Sequence, residues 1–397
     1  MTSAIPTSGG GRPDRADRAL LRLPAGAVEL AAGRLARAAA TVDRLWAPST
    51  PALDAGAEAA AHHLVAPLRL DPTWPDPVDP LPAPGGGAVH ADLSDDDHDT
   101  LARLREVLTA GDDPATVDAE RLAAAAQEWR LAVTPYRQRA GTALPYPGPT
   151  GAAPAVPGPA GPERVAARPQ SPRSRPTADG FLVLDLTALW AGPLATALLA
   201  GLGVRVVKLD PSARPDALAE RPAVFRHLNG AKERLDLDLR LDHHRRSFEA
   251  LVARADLVID SFSRRVMPNF GYGPADLAAL AGERGNPGLA TLSIVAFPDG
   301  TPEAEWIAYG PGVHAAVGLG ARPTPAPARP DVSSGGRWWA APVAYPDPLA
   351  GLTALAVAVE VLADPERLAG RPGGHHEVSL AGAVAPLVPE AEPVAVR

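Results

Sequence analysis

The segment FLVLDLTALWAGPLATALLAGLGVRVVKL, residues 181–209, decides which fold the chain can adopt. Residues 181–186 are an apolar run of strand length. Pro193 then precedes a predicted helix over 194–202, because proline suits the first turn of a helix. A glycine ends that helix, and residues 204–209 are a second apolar run. The segment therefore predicts strand, helix and strand in succession.

The same alternation continues towards the C-terminus. Further strands are predicted at 234–239, 256–260 and 290–295, and further helices at 242–254 and 274–281. Short apolar strands that alternate with helices predict an α/β fold with a doubly wound parallel sheet. Ligands of such sheets bind at the carboxyl ends of the strands. The expected site therefore lies among residues 187–193, 209–215 and 261–265.

The first 140 residues have a different sequence pattern, without regular alternation of strands and helices. The predicted elements there are helices at 26–45, 95–108 and 117–131 and extended segments at 89–93 and 131–135. Proline and glycine dominate residues 47–90, which we expect to be irregular. Residues 141–178 are so rich in proline that they predict an extended linker. We therefore divide the chain into an N-terminal region, a linker and a C-terminal domain: 1–140, 141–178 and 179–397.

Composition excludes several classes of function. The formal net charge of -8 argues against general nucleic-acid binding, which needs Lys and Arg to neutralise phosphates. Because the chain has no cysteine, disulfides, cysteine-ligated zinc and a thiol nucleophile are excluded. Adjacent histidines point apart, so the three His-His pairs predict no metal site. We recognise no signal peptide, and the apolar run at 351–363 is too short to cross a membrane. We expect a cytoplasmic protein that binds neither nucleic acid nor membranes.

Five segments, in a fixed order, resemble family III CoA-transferases. They are residues 181–208; Leu228-Asn-Gly-Ala-Lys232 with Leu235-Asp-Leu-Asp-Leu239; Ala255-Asp-Leu-Val-Ile-Asp-Ser-Phe262 with Phe270-Gly-Tyr-Gly273; Tyr345-Pro-Asp-Pro-Leu-Ala-Gly351; and Gly370-Arg-Pro-Gly-Gly-His-His-Glu-Val-Ser-Leu380. Each segment alone is weak, but their shared order makes the resemblance specific.

The resemblance implies a Rossmann-like large domain with a smaller second domain, in a homodimer whose chains interlock like rings. It implies an enzyme that moves coenzyme A from an acyl-CoA to a carboxylic acid acceptor, without a metal. Residues 121–135 resemble a helix and strand that come late in the family. One explanation is a rearranged chain order, in which the late half of the fold comes first.

By this resemblance Asp347 is the catalytic aspartate. Transfer of CoA needs a nucleophile that holds an acyl group and CoA in turn, and without cysteine the choices are carboxylate, hydroxyl or lysine. A carboxylate is suited to this, because its anhydride and its thioester are close in energy to the starting thioester. Asp347 precedes an apolar helix that begins near Leu349, and a helix N-terminus favours negative charge. The alternative is that Asp347 is simply a helix N-cap.

Coenzyme A needs cations for its phosphates and an apolar slot. Lys232 and Arg265 are the candidates for the phosphates, with the alternative that both are ordinary solvated charges. The other candidate CoA contacts are Leu189, Trp190, Ala191, Leu228, Ser261 and Phe262. The family usually has Asn in place of Ser261 and a Pro-Gly turn in place of Arg264 and Arg265, so the resemblance alone does not establish the CoA contacts of that loop.

Two other functions remain open. The same fold is used by α-methylacyl-CoA racemases, which move an α-proton with a His and an Asp. Tyr309 occupies the position matching that His, and His314 lies five residues further along the chain. A tyrosine is a poor base near neutral pH. The second alternative is a degenerate paralogue that binds CoA without turnover.

Overall fold

The computed structural model describes residues 14–47, 50–111, 113–137, 177–211, 214–321 and 338–388. Its strands are Leu81–Pro82 (β1), Ala88–Ala91 (β2), Val133–Pro135 (β3), Leu182–Leu186 (β4), Arg205–Asp210 (β5), Glu233–Asp236 (β6), Leu257–Asp260 (β7), Ala290–Val295 (β8) and His375–Ser379 (β9). Its helices before β5 are Arg15–Leu20 (α1), Ala27–Leu45 (α2), Ala57–Leu70 (α3), Asp95–Gly111 (α4), Ala119–Glu128 (α5) and Ala191–Gly201 (α6). The later helices are Pro222–Asn229 (α7), Asp242–Val252 (α8), Val266–Asn269 (α9), Pro274–Glu283 (α10), Gly310–Ala316 (α11), Pro346–Ala363 (α12), Pro365–Leu368 (α13) and Leu380–Val384 (α14).

A six-stranded parallel sheet forms the centre of the fold. Its strands lie in the order β6-β5-β4-β7-β8-β9. Val183 on β4 pairs with Val206 on one side and with Leu257 on the other. The central strands are apolar on both faces because helices cover both faces, as parallel sheets require. The predicted α/β fold with a doubly wound parallel sheet is confirmed.

The two faces of the sheet have separate cores. Helices α8 and α10 cover one face, where Phe248 and Leu277 pack on Val258. Helices α6 and α12 lie on the other face, and α12 is the central helix of that core. By length and composition α12 could cross a membrane, but 89% of it is buried inside the protein. Burial on all sides explains why this helix is apolar all round.

The N-terminal helices belong to the same core as the large sheet. Leu35 of α2 and Leu64 of α3 are both fully buried in it. The guanidinium of Arg34 is buried between α12 and α14, where it donates to the carbonyl of Leu349 at 2.7 Å and to the carbonyl of Ala383. Residues from both sides of the predicted linker therefore share one hydrophobic core.

A smaller antiparallel sheet completes the architecture. Its strands lie in the order β1-β2-β3, with His90 opposite Thr134. Helix α5 packs on this sheet through Leu122, which lies beside Val89 and Val133 in a small core. This unit corresponds to the smaller second domain of the predicted fold class.

Most predicted elements are present, with one clear error. Residues 47–90 were expected to be irregular, but 57–70 form α3. Apolar residues recur there at helical spacing, and Pro67 is accommodated in the last turn. The predicted linker 141–178 lies outside the described residues except for its last two. The division into 1–140, 141–178 and 179–397 stays a prediction.

Candidate active site

A cleft of about 550 Å³ opens at the carboxyl ends of β4, β5, β7 and β8. Residues that follow these strands form one wall, including Thr187, Pro211 and Ser261. Residues 304–309 form the opposite wall, together with Arg130 from the N-terminal region. Asp347 lies in the cleft lining. The cleft is therefore at the edge of the sheet where ligands of doubly wound folds bind.

Asp347 occupies the first turn of α12. Tyr345 takes the N-cap position and no side chain caps the helix, so the N-cap interpretation of Asp347 is wrong. The residue is only 8% exposed, and its Oδ2 atom has no hydrogen-bond partner of good geometry among the described residues. Burial raises the pKa of Asp347 to about 7, and the negative charge of Asp92 adds to this rise. Within the part of the chain that the structure describes, no cation neutralises this carboxyl group.

The backbone at Gly310 lies directly against this carboxyl group. A Cβ atom placed on Gly310 would come within 2.0 Å of Oδ2 of Asp347 and 3.1 Å of the carbonyl of Ala344. Only glycine fits here, because the chain must approach the carboxylate closely. The N–H of Gly310 favours the ionised form and lowers the pKa of Asp347, but less than burial raises it. This N–H sits at the start of α11, where backbone donors are free.

Four of the predicted CoA contacts line the cleft with Asp347: Leu189, Ala191, Ser261 and Phe262. The loop before α6 is fixed by two hydrogen bonds. The N–H of Ala188 donates to Oγ of Ser261 at 3.0 Å, and the N–H of Leu189 donates to Oδ2 of Asp216 at 3.0 Å. Leu189 has a φ of 64°, a left-handed conformation that is strained for a leucine and held by these contacts.

The other four predicted contacts are outside the cleft lining. Trp190 and Leu228 are buried in the core, with the ring of Trp190 6.4 Å from that of Trp74. Arg265 is exposed and forms an ion pair with Glu305 at 2.8 Å, at the outer side of the cleft wall. The cleft lining does not include these three side chains, because side-chain direction depends on packing that the sequence pattern does not report.

Lys232 does not face the cleft either. Its ammonium group donates to Oδ2 of Asp185 at 2.9 Å, to the carbonyl of Pro193 at 3.0 Å and to Oδ1 of Asn229 at 2.8 Å. These three bonds use all the donors of a lysine. Both side chains of the Lys232–Asp185 pair are fully buried. In this structure Lys232 fixes α6 to the sheet and offers no donor to a phosphate.

The sequence analysis did not identify two cations of the cleft lining, Arg130 and Arg214, or the aspartate Asp92 that acts on Asp347. Arg214 is exposed in the cleft lining beyond β5, inside the range 209–215 where a ligand was expected. Arg130 and Asp92 come from the N-terminal region: Arg130 lines the cleft, and Asp92 follows β2 and acts on Asp347. The resemblance of residues 121–135 to a late part of the family covers Arg130, but it did not indicate that Arg130 or Asp92 would lie near Asp347.

His314 is buried and fully engaged. Its Nδ1 atom is 2.8 Å from the hydroxyl of Tyr345, and its Nε2 atom is 3.1 Å from the carbonyl of Trp339. Burial lowers the pKa of His314 to about 4. Tyr309 does line the cleft, but burial raises the pKa of its hydroxyl. Among the described residues, the cleft lining therefore contains no histidine placed to accept an α-proton.

Comparison with known proteins shows the family of the chain. The model of CoA-transferase family III matches residues 179–391, so the chain belongs to that family. An acetyl-CoA:oxalate CoA-transferase of Acetobacter aceti is 30% identical over 164 residues, which are 40% of each chain. A succinyl-CoA:mesaconate CoA-transferase of Haloarcula hispanica is 36% identical over 135 residues, 30% of this chain and 32% of that one.

A solved structure of a CaiB/BaiF family protein from Brucella suis matches with a TM-score of 0.44 and 24% identity, covering 53% of this chain and 54% of that one. The chain therefore spans well under two thirds of the length of these relatives.

Proposed function

We propose that this protein is a CoA-transferase that moves coenzyme A from an acyl-CoA to a carboxylic acid, with Asp347 as the nucleophile. The observation that carries the proposal is the buried Asp347 carboxyl group, which lies in the wall of a cleft of about 550 Å³ and has no cation beside it among the described residues. A carboxylate held in this way at a ligand cleft is a candidate for covalent catalysis rather than for stabilising the fold.

The proposed reaction proceeds through acyl groups on Asp347. A carboxylate oxygen of Asp347 attacks the thioester carbonyl, the C–S bond breaks, and CoA thiolate leaves a mixed anhydride. The thiolate then attacks the aspartyl carbonyl, which releases the donor acid and leaves an aspartyl-CoA thioester. The acceptor carboxylate repeats these two steps in reverse, so that the new acyl-CoA forms and Asp347 is regenerated. No oxidant, metal or ATP is required.

The surroundings of Asp347 favour the proposed reaction in three ways. The N–H of Gly310 faces the Asp347 carboxyl group, so it can stabilise the negative charge that develops on the aspartyl carbonyl oxygen when CoA thiolate attacks the anhydride. Burial of Asp347 limits hydrolysis of an anhydride by water. The pKa of about 7 leaves a useful fraction of Asp347 ionised at neutral pH and also makes the carboxylate more nucleophilic than an ordinary aspartate.

The substrate classes follow from family membership and from the cleft. Coenzyme A enters as a substrate, with Leu189, Ala191, Ser261 and Phe262 as its apolar and polar contacts. Arg130 and Arg214 replace Lys232 and Arg265 as our candidates for anionic groups of the substrates. The two named relatives act on oxalate and mesaconate, so we propose a small carboxylic acid as the acceptor.

Racemase activity has less support. Its histidine would have to be His314, which is fully buried and bonded through both ring nitrogens. Tyr309 faces the cleft but would have to give up a proton at a raised pKa. The degenerate alternative is opposed by the retained Asp347 and by the glycine that accommodates it.

We also propose a cytoplasmic homodimer that binds neither nucleic acid nor membranes. The net charge of -8 argues against a general phosphate-binding surface. Sedimentation velocity would test the dimer.

The deciding experiment is to trap the acyl-enzyme. The protein is incubated with an acyl-CoA and then with hydroxylamine or borohydride, and tryptic peptides are analysed by mass spectrometry. We expect a hydroxamate or an alcohol at Asp347 and none in Asp347→Asn. Exchange of an α-proton with deuterated solvent, without transfer of CoA, would instead support racemisation. Binding of CoA with neither outcome would support the degenerate alternative.

A further inference from the structure

The cleft wall that carries Gly310 is attached to the N-terminal region. We call residues 303–309 the strap. Most of the strap lines the cleft, and it leads directly into α11 and Gly310. Within the described residues, three side chains of the N-terminal region bind it: Gln127, Arg130 and Arg137. The position of the Gly310 backbone therefore depends on a part of the chain that lies far away in sequence.

Gln127 makes the most complete of these attachments. Its Nε2 atom donates to the carbonyl of Ile307 at 2.8 Å and to the carbonyl of Val133 at 2.9 Å. Its Oε1 atom accepts from the N–H of Ile307 at 2.8 Å. The side-chain amide thus satisfies both backbone groups of Ile307, as a neighbouring strand would. Gln127 is 7% exposed, so water does not compete for these bonds.

The other end of the same segment is bound by β3. Oγ1 of Thr134 donates to the carbonyl of Gly312 at 2.9 Å, and Thr134 is fully buried. Tyr309 and Gly310 therefore lie between two fixed points, Ile307 and Gly312, that are both bound by the small antiparallel unit. Only two residues, Ala308 and Tyr309, separate Ile307 from Gly310, so a displacement of Ile307 also displaces Gly310.

We infer that Gln127 is a positioning residue for the reaction: by fixing Ile307 it sets where the Gly310 backbone stands against the Asp347 carboxyl group. This rests on the proposed role of Asp347. The backbone of Gly310 is tightly packed against Asp347, because even a Cβ atom on Gly310 would overlap Oδ2 of Asp347. Release of Ile307 lets the strap move away from Asp347 and lets water reach the carboxyl group. The small unit then serves catalysis as well as stability.

The test compares variants that leave Asp347 in place. Gln127→Met keeps the length of the side chain and removes all three hydrogen bonds. Gln127→Glu can still accept from the Ile307 N–H and, when protonated, donate to one carbonyl, so it should restore part of the effect. Asn286→Ala is the matched control, since it removes a side-chain amide that donates to the carbonyl of Ala255 at 2.8 Å, a contact outside the cleft lining.

Two measurements are made on each variant. The titration of the Asp347 carboxyl is followed by carbon-13 NMR, with Asp347→Asn to assign the signal. In Gln127→Met we expect its midpoint to move from about 7 towards 3.8, because burial is the main cause of the raised pKa. Besides Asp347, the groups that face it are Asp92 and Tyr309, which the variants leave unchanged. We also expect kcat to fall on the order of 10- to 100-fold, with the KM for acyl-CoA changed little.

The outcomes separate a positioning role from a purely structural one. If Gln127→Met lowers the melting temperature but moves neither the titration nor kcat, as Asn286→Ala is expected to do, the inference is wrong. If Gln127→Met does not fold, Gln127→Glu decides by the same two measurements. The titration needs no turnover, so it reports on Gln127 even if the wild-type protein fails to transfer CoA and the proposed function is lost.

Discussion

Asp185 and Asp347 are both buried carboxyl groups near the cleft end of the sheet, but their surroundings are opposite. Asp185 is bonded to Lys232 and to the hydroxyls of Thr187 and Thr196. Burial alone would raise the pKa of Asp185, yet Lys232 and Lys208 outweigh it and hold the pKa below its usual range. Asp347 has no cation beside it in the described ranges of the chain, and burial raises its pKa to about 7. A buried acid with a complete set of partners stabilises the fold, whereas one without them is available for chemistry.

The largest expected effect is on turnover. Asp347→Asn should reduce CoA transfer by on the order of 10³-fold or more, because the amide cannot form the anhydride. Affinity for CoA should remain close to that of the wild type, as measured by isothermal titration calorimetry. The free energy of unfolding should be equal or higher, since a poorly solvated carboxyl is removed. Near-normal turnover in this variant would contradict the proposed mechanism.

The corresponding change at Asp185 should act on stability. Asp185→Asn leaves the ammonium of Lys232 buried without its carboxylate, so we expect the free energy of unfolding to fall by about 3–5 kcal/mol. Urea denaturation followed by circular dichroism measures this loss.

Lys232→Met is the matching control, and it also tests the phosphate role that the sequence suggested. It should destabilise the protein without a specific loss of CoA affinity in the molecules that remain folded. A fully stable Lys232→Met protein with weakened CoA binding would restore Lys232 as a phosphate contact.

The two acids should also give stability opposite dependences on pH. The pKa of Asp347 is raised above 3.8, so its contribution to stability is complete below 3.8 and is lost as the pH rises towards about 7. The pKa of Asp185 is lowered, so its contribution is present above 3.8 and is lost as the pH falls further. Between pH 4 and 7 the wild type should therefore lose stability relative to Asp347→Asn, by at most about 1.4 kcal/mol per pH unit.

Urea denaturation of the two proteins at a series of pH values measures this difference, since other titrating groups cancel. A constant difference between pH 4 and 7 would show that Asp347 has an ordinary pKa in the folded protein.

The comparison also explains what the sequence could predict. Apolar runs and their spacing were enough for the parallel sheet, because strand and helix periods are local properties. Asp347 was reached through a resemblance in motif order. Lys232 was assigned to a phosphate because its motif was recognised, but its partner Asp185 is 47 positions away and lies inside the fold. Arg130, Gln127 and Asp92 reach the site only through the packing of the small unit, which no local pattern reports.

The smallest expected effect concerns Asp92, whose charge raises the pKa of Asp347 less than burial does. Asp92→Asn removes that charge, so the pKa of Asp347 should fall while staying well above 3.8. A larger fraction of the nucleophile is then ionised below neutrality, and kcat/KM at pH 6 should rise about two- to threefold. At pH 8, where Asp347 is already ionised, the two proteins should be equal.

Asp97→Asn is the matched control, because Asp97 acts on Tyr309 but is not among the groups that shift Asp347. A pH–rate profile for each protein decides between three possibilities. A shift only in Asp92→Asn assigns the ascending limb to Asp347 and its carboxylate neighbour. Equal shifts in both variants would assign that limb to Tyr309, the group that both aspartates influence. If the ascending limb shifts in neither variant, Asp347 reacts without titrating near pH 7. The proposed electrostatic difference between Asp347 and Asp185 would then be wrong.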